Sequence, residues 1–184
     1  MGVGDDGGLV HRKGMPPMVG IAPRALILGT IPSVISDRMK QYYANPMNGF
    51  WKIIYGVWDE RPDADYCART AFLTAHRLAL WDVIGDCDIK GSDDGSIGNV
   101  DPNDFNDFFR KNPTIGHVFL NGKKASTLYR ELIDRRLDPD LRVPFSCLPS
   151  TSSAHAISFE RKVEAWRAVR TCVEREWTSR HRPG

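Results

Sequence analysis

The stretch Arg24-Ala-Leu-Ile-Leu-Gly29 (RALILG) is a short apolar run stopped by glycine. Four consecutive apolar residues are too few to mark a helix, and the lack of alternation predicts a strand covered on both faces. His117–Gly122 (HVFLNG) reads the same way, and so does Val143–Ser150 (VPFSCLPS). Helical spacing lies between and after these runs. Phe50, Ile53, Ile54, Val57 and Trp58 share one face of a helix, and Arg69–Trp81 (RTAFLTAHRLALW) suits a second. Asp101 and Pro102 stand as N-cap and first helical residue before Phe105, Phe108 and Phe109. Ala125, Leu128, Tyr129 and Leu132 mark another helix. Val163, Trp166, Val169, Val173 and Trp177 mark the last, capped by Ser158. Strands alternating with helices predict an α/β fold around a mostly parallel sheet, whose ligands sit outside the carboxyl ends of the strands.

That rule selects three segments. Gly29–Ser33 (GTIPS) follows the first strand and leads to Gln41–Trp51 (QYYANPMNGFW). Asn121–Lys124 (NGKK) follows the second, and Leu148–Ala156 (LPSTSSAHA) ends the third. GTIPS and LPSTSSAHA offer small residues, hydroxyls and backbone N–H groups on a path fixed by proline, which can cradle an anion without Lys or Arg. Ordinary strand-ending turns share that composition. Asn48 and Asn45 can each accept from a water and donate to a carbonyl. Asn48 is equally suited to capping the following helix, and Asn45 to a turn before proline.

At 184 residues, 41% apolar and 26% charged, the chain has the makings of one soluble domain. Residues 1–14 read as a glycine-rich flexible lead-in, 15–178 as the domain and 179–184 as a tail. No apolar run approaches the length of a membrane-spanning helix. Cys67, Cys87, Cys147 and Cys172 form no C-x-x-C pair, so zinc and iron–sulfur sites are not indicated, and reduced thiols suit a cytoplasmic protein. Trp81–Asp104 is acidic but lacks EF-hand spacing and reads as a solvated loop. No metal or cofactor is expected. The net charge of +2 does not mark a nucleic-acid binder, though the segment from Glu160 onward carries seven Lys/Arg against four Glu. G-x-S-x-G is absent, which argues against a serine hydrolase.

Taken in order, LILGTIPS, YYANPMNGFW, LALWDVIGDC, KGSDDGSIGNVDPNDF, VFLNG and LPSTSSAHA closely resemble the hypoxanthine (deoxyinosine) DNA glycosylases of the uracil-DNA glycosylase superfamily. The likeness runs from about Gly14 to Trp177. Tyr43–Trp51 also resembles the mismatch-specific uracil and thymine glycosylases. The resemblance implies a three-layer α/β/α sandwich with about four central strands. It implies a monomeric, monofunctional DNA glycosylase that initiates base excision repair on single- or double-stranded DNA. Uracil and hypoxanthine are the leading substrates, with xanthine included.

The resemblance also implies the site. Asn48, Asn45 and His155 would serve catalysis. Gly29, Thr30, Ile31, Tyr43 and Phe50 would bind the flipped base, with Tyr43 stacking on it. Pro32, Ser33, Ser150, Thr151, Ser152 and Ser153 would hold the DNA. Two positions depart from the superfamily pattern: Ile31 stands where a polar residue usually handles water, and Leu148 where His or Asn usually begins the second motif. A loose, oxocarbenium-like cleavage tolerates that loss if charge on the departing base is stabilised. A lesion-binding protein with little turnover remains the alternative.

Overall fold

The computed structural model describes residues 8–180, with side chains left aside at 94 and 176–180. The expectations for Met1–Gly7 and for the tail from His181, and that for the Trp177 side chain, lie outside the described residues.

Four parallel strands form the central sheet in the order β3-β2-β6-β7: β2 (Ala25–Gly29), β3 (Leu78–Asp82), β6 (His117–Asn121) and β7 (Phe145–Leu148). Helices cover both sides, as an α/β sandwich requires. All five residues of β2 are buried, so its continuous apolar run is accounted for. Burying Leu26, Ile27 or Leu28 contributes about 1.5–3 kcal/mol each. Helix α2 (Phe50–Val57) buries every residue except Lys52 and Gly56 and packs on the long α6 (Phe159–Arg180). Trp58, expected on the same face, is the half-buried C-cap. Ser158 accepts from Arg161 N at 3.4 Å at the start of α6, where a cap was expected.

Several expectations are corrected. Arg69–Trp81 is not one helix. Helix α3 (Tyr66–Ala75) ends, Arg77 turns the chain at φ +57°, and Leu78 begins β3. Local helical pattern loses there to the open edge of β2, which pairs from Ala25–Leu78 to Gly29–Asp82.

A second, antiparallel sheet joins β1 (Val10–Lys13), β4 (Ile84–Ile89) and β5 (Gly98–Pro102) in the order β1-β4-β5. The supposed lead-in thus contains a strand, and the acidic loop contains two. Irregular register between β4 and β5 breaks the period-2 pattern, so Ile84, Cys87 and Ile89 are buried without simple alternation. Cross-strand neighbours make the acidic residues compatible with pairing: Lys13 faces Asp86 with opposite charge, and His11 faces Asp88, their side chains 3.2 Å apart.

The cap of α4 (Phe105–Lys111) is also shifted. Asp104, not Asp101, accepts from Asp107 N at 3.0 Å, because Asp101 and Pro102 are taken by β5. Phe105, Phe108 and Phe109 are buried as their spacing predicts. Two short helices complete the positioning of the site, α1 (Val34–Met39) after β2 and α5 (Lys123–Leu128) after β6.

Candidate active site

A cavity of about 200 Å³ opens at the carboxyl ends of β2, β3, β6 and β7. Both motif loops and the Gln41–Trp51 stretch meet there. Of the residues expected to bind or react, Gly29, Thr30, Ile31, Pro32, Ser33, Tyr43, Asn45, Asn48, Ser150, Thr151 and Ser152 line it. Phe50, Ser153 and His155 do not. Phe50 is fully buried, with its ring parallel to that of Tyr43 at 4.0 Å, so it backs the tyrosine from behind. His155 lies beyond the cavity on a turn where its N–H donates to the Ser152 carbonyl at 3.2 Å.

A chain of side-chain hydrogen bonds ties the three loops together. Thr151 Oγ1 donates to Asn48 Oδ1 at 2.8 Å and accepts from Asn121 Nδ2 at 2.9 Å. Asn121 Nδ2 also donates to Tyr43 Oη at 2.8 Å, and Asn121 Oδ1 accepts from Thr151 N at 2.9 Å. Asn121 therefore orients both a hydroxyl and a ring. Thr151 is 1% exposed, so the loss of any partner leaves a buried polar group unsatisfied.

Asn48 does two things. Its Oδ1 accepts from Phe50 N at 3.0 Å as well as from Thr151. The formal N-cap of α2 is Gly49, which makes no side-chain cap bond, so Asn48 supplies the capping oxygen from one residue earlier. Both lone pairs of Oδ1 are occupied, which fixes the amide orientation and leaves Nδ2 as the atom for a ligand. Asn45 is different: among the described residues its Oδ1 accepts only from Met47 N, at 3.0 Å, which leaves one lone pair.

Further residues line the cavity that were not singled out as site residues, Arg12, Asp82 and Asn121 among them. Asn121 and Asp82 each end a parallel strand, the position the strand-end rule selects, but Asp82 belonged to a stretch read as a solvated acidic loop. Asp82 is 4% exposed. Its Oδ1 comes so close to Gly29 that a Cβ there would meet it at 2.4 Å, with Tyr43 Oη at 3.0 Å. Burial, and then the charge of Asp82, push the Tyr42 hydroxyl far above the ordinary tyrosine value. Tyr42 thus stays a neutral donor to the Met15 and Pro16 carbonyls. Gly122 is required by conformation and space: its φ is +96°, and a Cβ would meet Ser150 Cβ at 2.9 Å. Behind the second motif loop, buried Lys162 donates to the Ser152 carbonyl at 2.8 Å, and burial lowers its ammonium pKa.

No protein-family model matches the chain. A hypoxanthine DNA glycosylase from Methanosarcina acetivorans is 32% identical over 159 residues, covering 86% of this chain and 97% of that protein. One from Methanosarcina barkeri is 28% identical over 158 residues, covering 85% and 96%. The solution structure of a protein from Methanosarcina acetivorans, described as a candidate uracil DNA glycosylase, superimposes with a TM-score of 0.73 at 31% identity. It covers 88% of this chain and 99% of that one. With similarity over nearly the full length of both chains and a shared fold, this chain belongs to the hypoxanthine DNA glycosylase family, a branch of the uracil-DNA glycosylase superfamily.

Proposed function

We propose that this DNA glycosylase excises deaminated bases, hypoxanthine first and uracil or xanthine with it, by hydrolysing the N-glycosidic bond. The observation that carries the reading is Asn48: a cavity-lining amide whose oxygen is doubly engaged and whose Nδ2 is left as a donor. When the C1′–N bond breaks, its electron pair stays with the base, and the charge spreads onto the carbonyl oxygen. A fixed amide N–H aimed at that oxygen stabilises the departing base more than the bound one.

Asn45, with one lone pair of Oδ1 remaining, can accept a hydrogen from the water that adds to C1′. It orients that water and cannot take its proton, which passes to the departed base or to solvent. Tyr43, backed by Phe50 and held by Asn121, offers a ring against which an extruded base can stack. Thr30, Pro32, Ser33 and Ser150–Ser152 are assigned to the nucleotide and its phosphates, and Ser153 and His155 to the flanking strand.

The reading takes the protein as a cytoplasmic monomer that needs no cofactor. No described helix is long and apolar enough to cross a membrane. The test is excision from oligonucleotides carrying hypoxanthine, uracil or xanthine, single- and double-stranded, with abasic sites revealed by alkali. Strand scission is expected with at least hypoxanthine. Lesion affinity without scission on any substrate would replace this reading by a lesion-binding one.

A further inference from the structure

Strand β1 turns one side chain inward, and that side chain is charged. Of Val10, His11, Arg12 and Lys13 only Arg12 is buried, at 8% exposure. An inward position on such a strand ordinarily carries an apolar residue. The pairing register explains why the guanidinium has no acidic partner across the β1–β4 pair. His11 and Lys13 stand opposite Asp88 and Asp86, while Arg12 stands opposite Cys87. Side chains alternate between faces, so both carboxylates point away from Arg12, and His11 takes Asp88 at 3.2 Å.

Among the described residues Arg12 makes no ion pair, and its one hydrogen bond runs from Nη1 to the Pro32 carbonyl at 3.3 Å. A guanidinium cannot discharge itself by losing a proton, so burial with a single neutral acceptor is costly unless a ligand completes the site. Arg12 lines the cavity beside the GTIPS loop, where Ile31 brings no polar group.

We propose that Arg12 reads the O6/N7 edge of a flipped 6-oxopurine and holds the negative charge that this edge gains as the base departs; the proposal rests on the glycosylase reading above. Nη1 keeps one hydrogen after serving Pro32, and Nη2 keeps both, which suits two parallel hydrogen bonds to adjacent acceptors. Hypoxanthine presents O6 and N7 as such a pair, the same pair that arginine reads on guanine in duplex DNA. Adenine places an amino group where O6 would be. Uracil has O4 beside a C–H and so only one acceptor.

As the C1′–N9 bond breaks, its electron pair moves onto the purine, and the guanidinium meets that charge without transferring a proton. The role replaces in part what Ile31 and Leu148 do not provide. Guanine shares the O6/N7 edge, so its exclusion falls to the rest of the cavity, where a 2-amino group would go. A phosphate stays at the rim of a base-flipping pocket, whereas an arginine this buried meets what enters it.

The test compares wild type with Arg12→Gln and Arg12→Lys on one oligonucleotide carrying hypoxanthine, 7-deazahypoxanthine or uracil. It reads single-turnover excision, and also affinity for 2′-fluoro versions of the two purine lesions, which resist cleavage. The wild-type preference for hypoxanthine over its 7-deaza analogue is expected to shrink at least tenfold in Arg12→Gln. Uracil excision should change less, and Arg12→Lys should fall between. An unchanged preference in both excision and affinity overturns the proposal. Equal weakening toward lesion and undamaged DNA, with a shallower salt dependence, overturns it in favour of a phosphate contact. Equal losses on all lesions with a lower Tm overturn it in favour of a brace for Pro32. If wild type excises nothing, the glycosylase reading fails separately, and the affinity comparison still decides the role of Arg12.

Discussion

Thr151 Oγ1 donates to Asn48 Oδ1 at 2.8 Å, joining residues 103 positions apart and closing the second motif loop onto the start of α2. The bond makes the chemistry of Asn48 depend on a residue from the opposite end of the domain. It also separates the capping oxygen of Asn48 from its free amide nitrogen, so the two roles can be tested apart.

Asn48→Asp is the informative substitution. The carboxylate retains an oxygen for Phe50 N and Thr151 Oγ1, so the helix start is kept. The donor becomes an anion facing a base that is itself turning negative. Single-turnover excision is expected to fall at least about tenfold, or about 1.4 kcal/mol of barrier, with the Tm nearly unchanged. Asn48→Ala should lose both rate and stability. Full activity in Asn48→Asp would return Asn48 to a purely structural role.

Thr151→Val removes the donor to Asn48 and the acceptor for Asn121 while keeping the shape. Its expected cost is about 1–3 kcal/mol in urea unfolding, because buried partners are left unsatisfied. Excision should drop by at least the factor seen for Asn48→Asp. A stable, slow variant would place the loss in positioning, and an unstable, fast one would refute the coupling.

Gly29→Ala places a methyl 2.4 Å from Asp82 Oδ1 and 3.0 Å from Tyr43 Oη. Neither group can retreat without disturbing the cavity floor. The variant should lose about 1–3 kcal/mol to overpacking and should bind lesion-containing DNA more weakly. Fluorescence anisotropy against hypoxanthine-containing duplex checks this, and unaltered affinity would count against Tyr43 as a base neighbour.

His76 lies against Trp58 at 4.1 Å and Phe72 at 4.4 Å between ring centroids, and burial lowers its imidazole below the ordinary 6.5. Between the folded value and 6.5 the unfolded chain binds more protons, so stability falls as pH falls through that window. The contribution is complete above 6.5 and lost below the folded value. His76→Phe should flatten the pH dependence of urea unfolding between about pH 7.5 and 5 relative to wild type. Matching slopes would remove His76 from the account.

The sequence alone determined the strands β2, β6 and β7, because short apolar runs stopped by Gly or Pro have few alternatives. It also determined α2, α4 and α6 from the spacing of their apolar residues, and the motif loops from their place at strand ends. Eleven of the residues it singled out line one cavity. Tertiary structure decided the rest. Leu78–Trp81 looks helical until β2 offers an edge to pair with, and charged Val10–Lys13 and Ile84–Ile89 look solvated until they pair across strands, Lys13 opposite Asp86. Arg12, Asp82 and Asn121 were hidden for a related reason. A polar residue in a sequence does not say whether it faces water or a cavity, and only the assembled register turns these three inward.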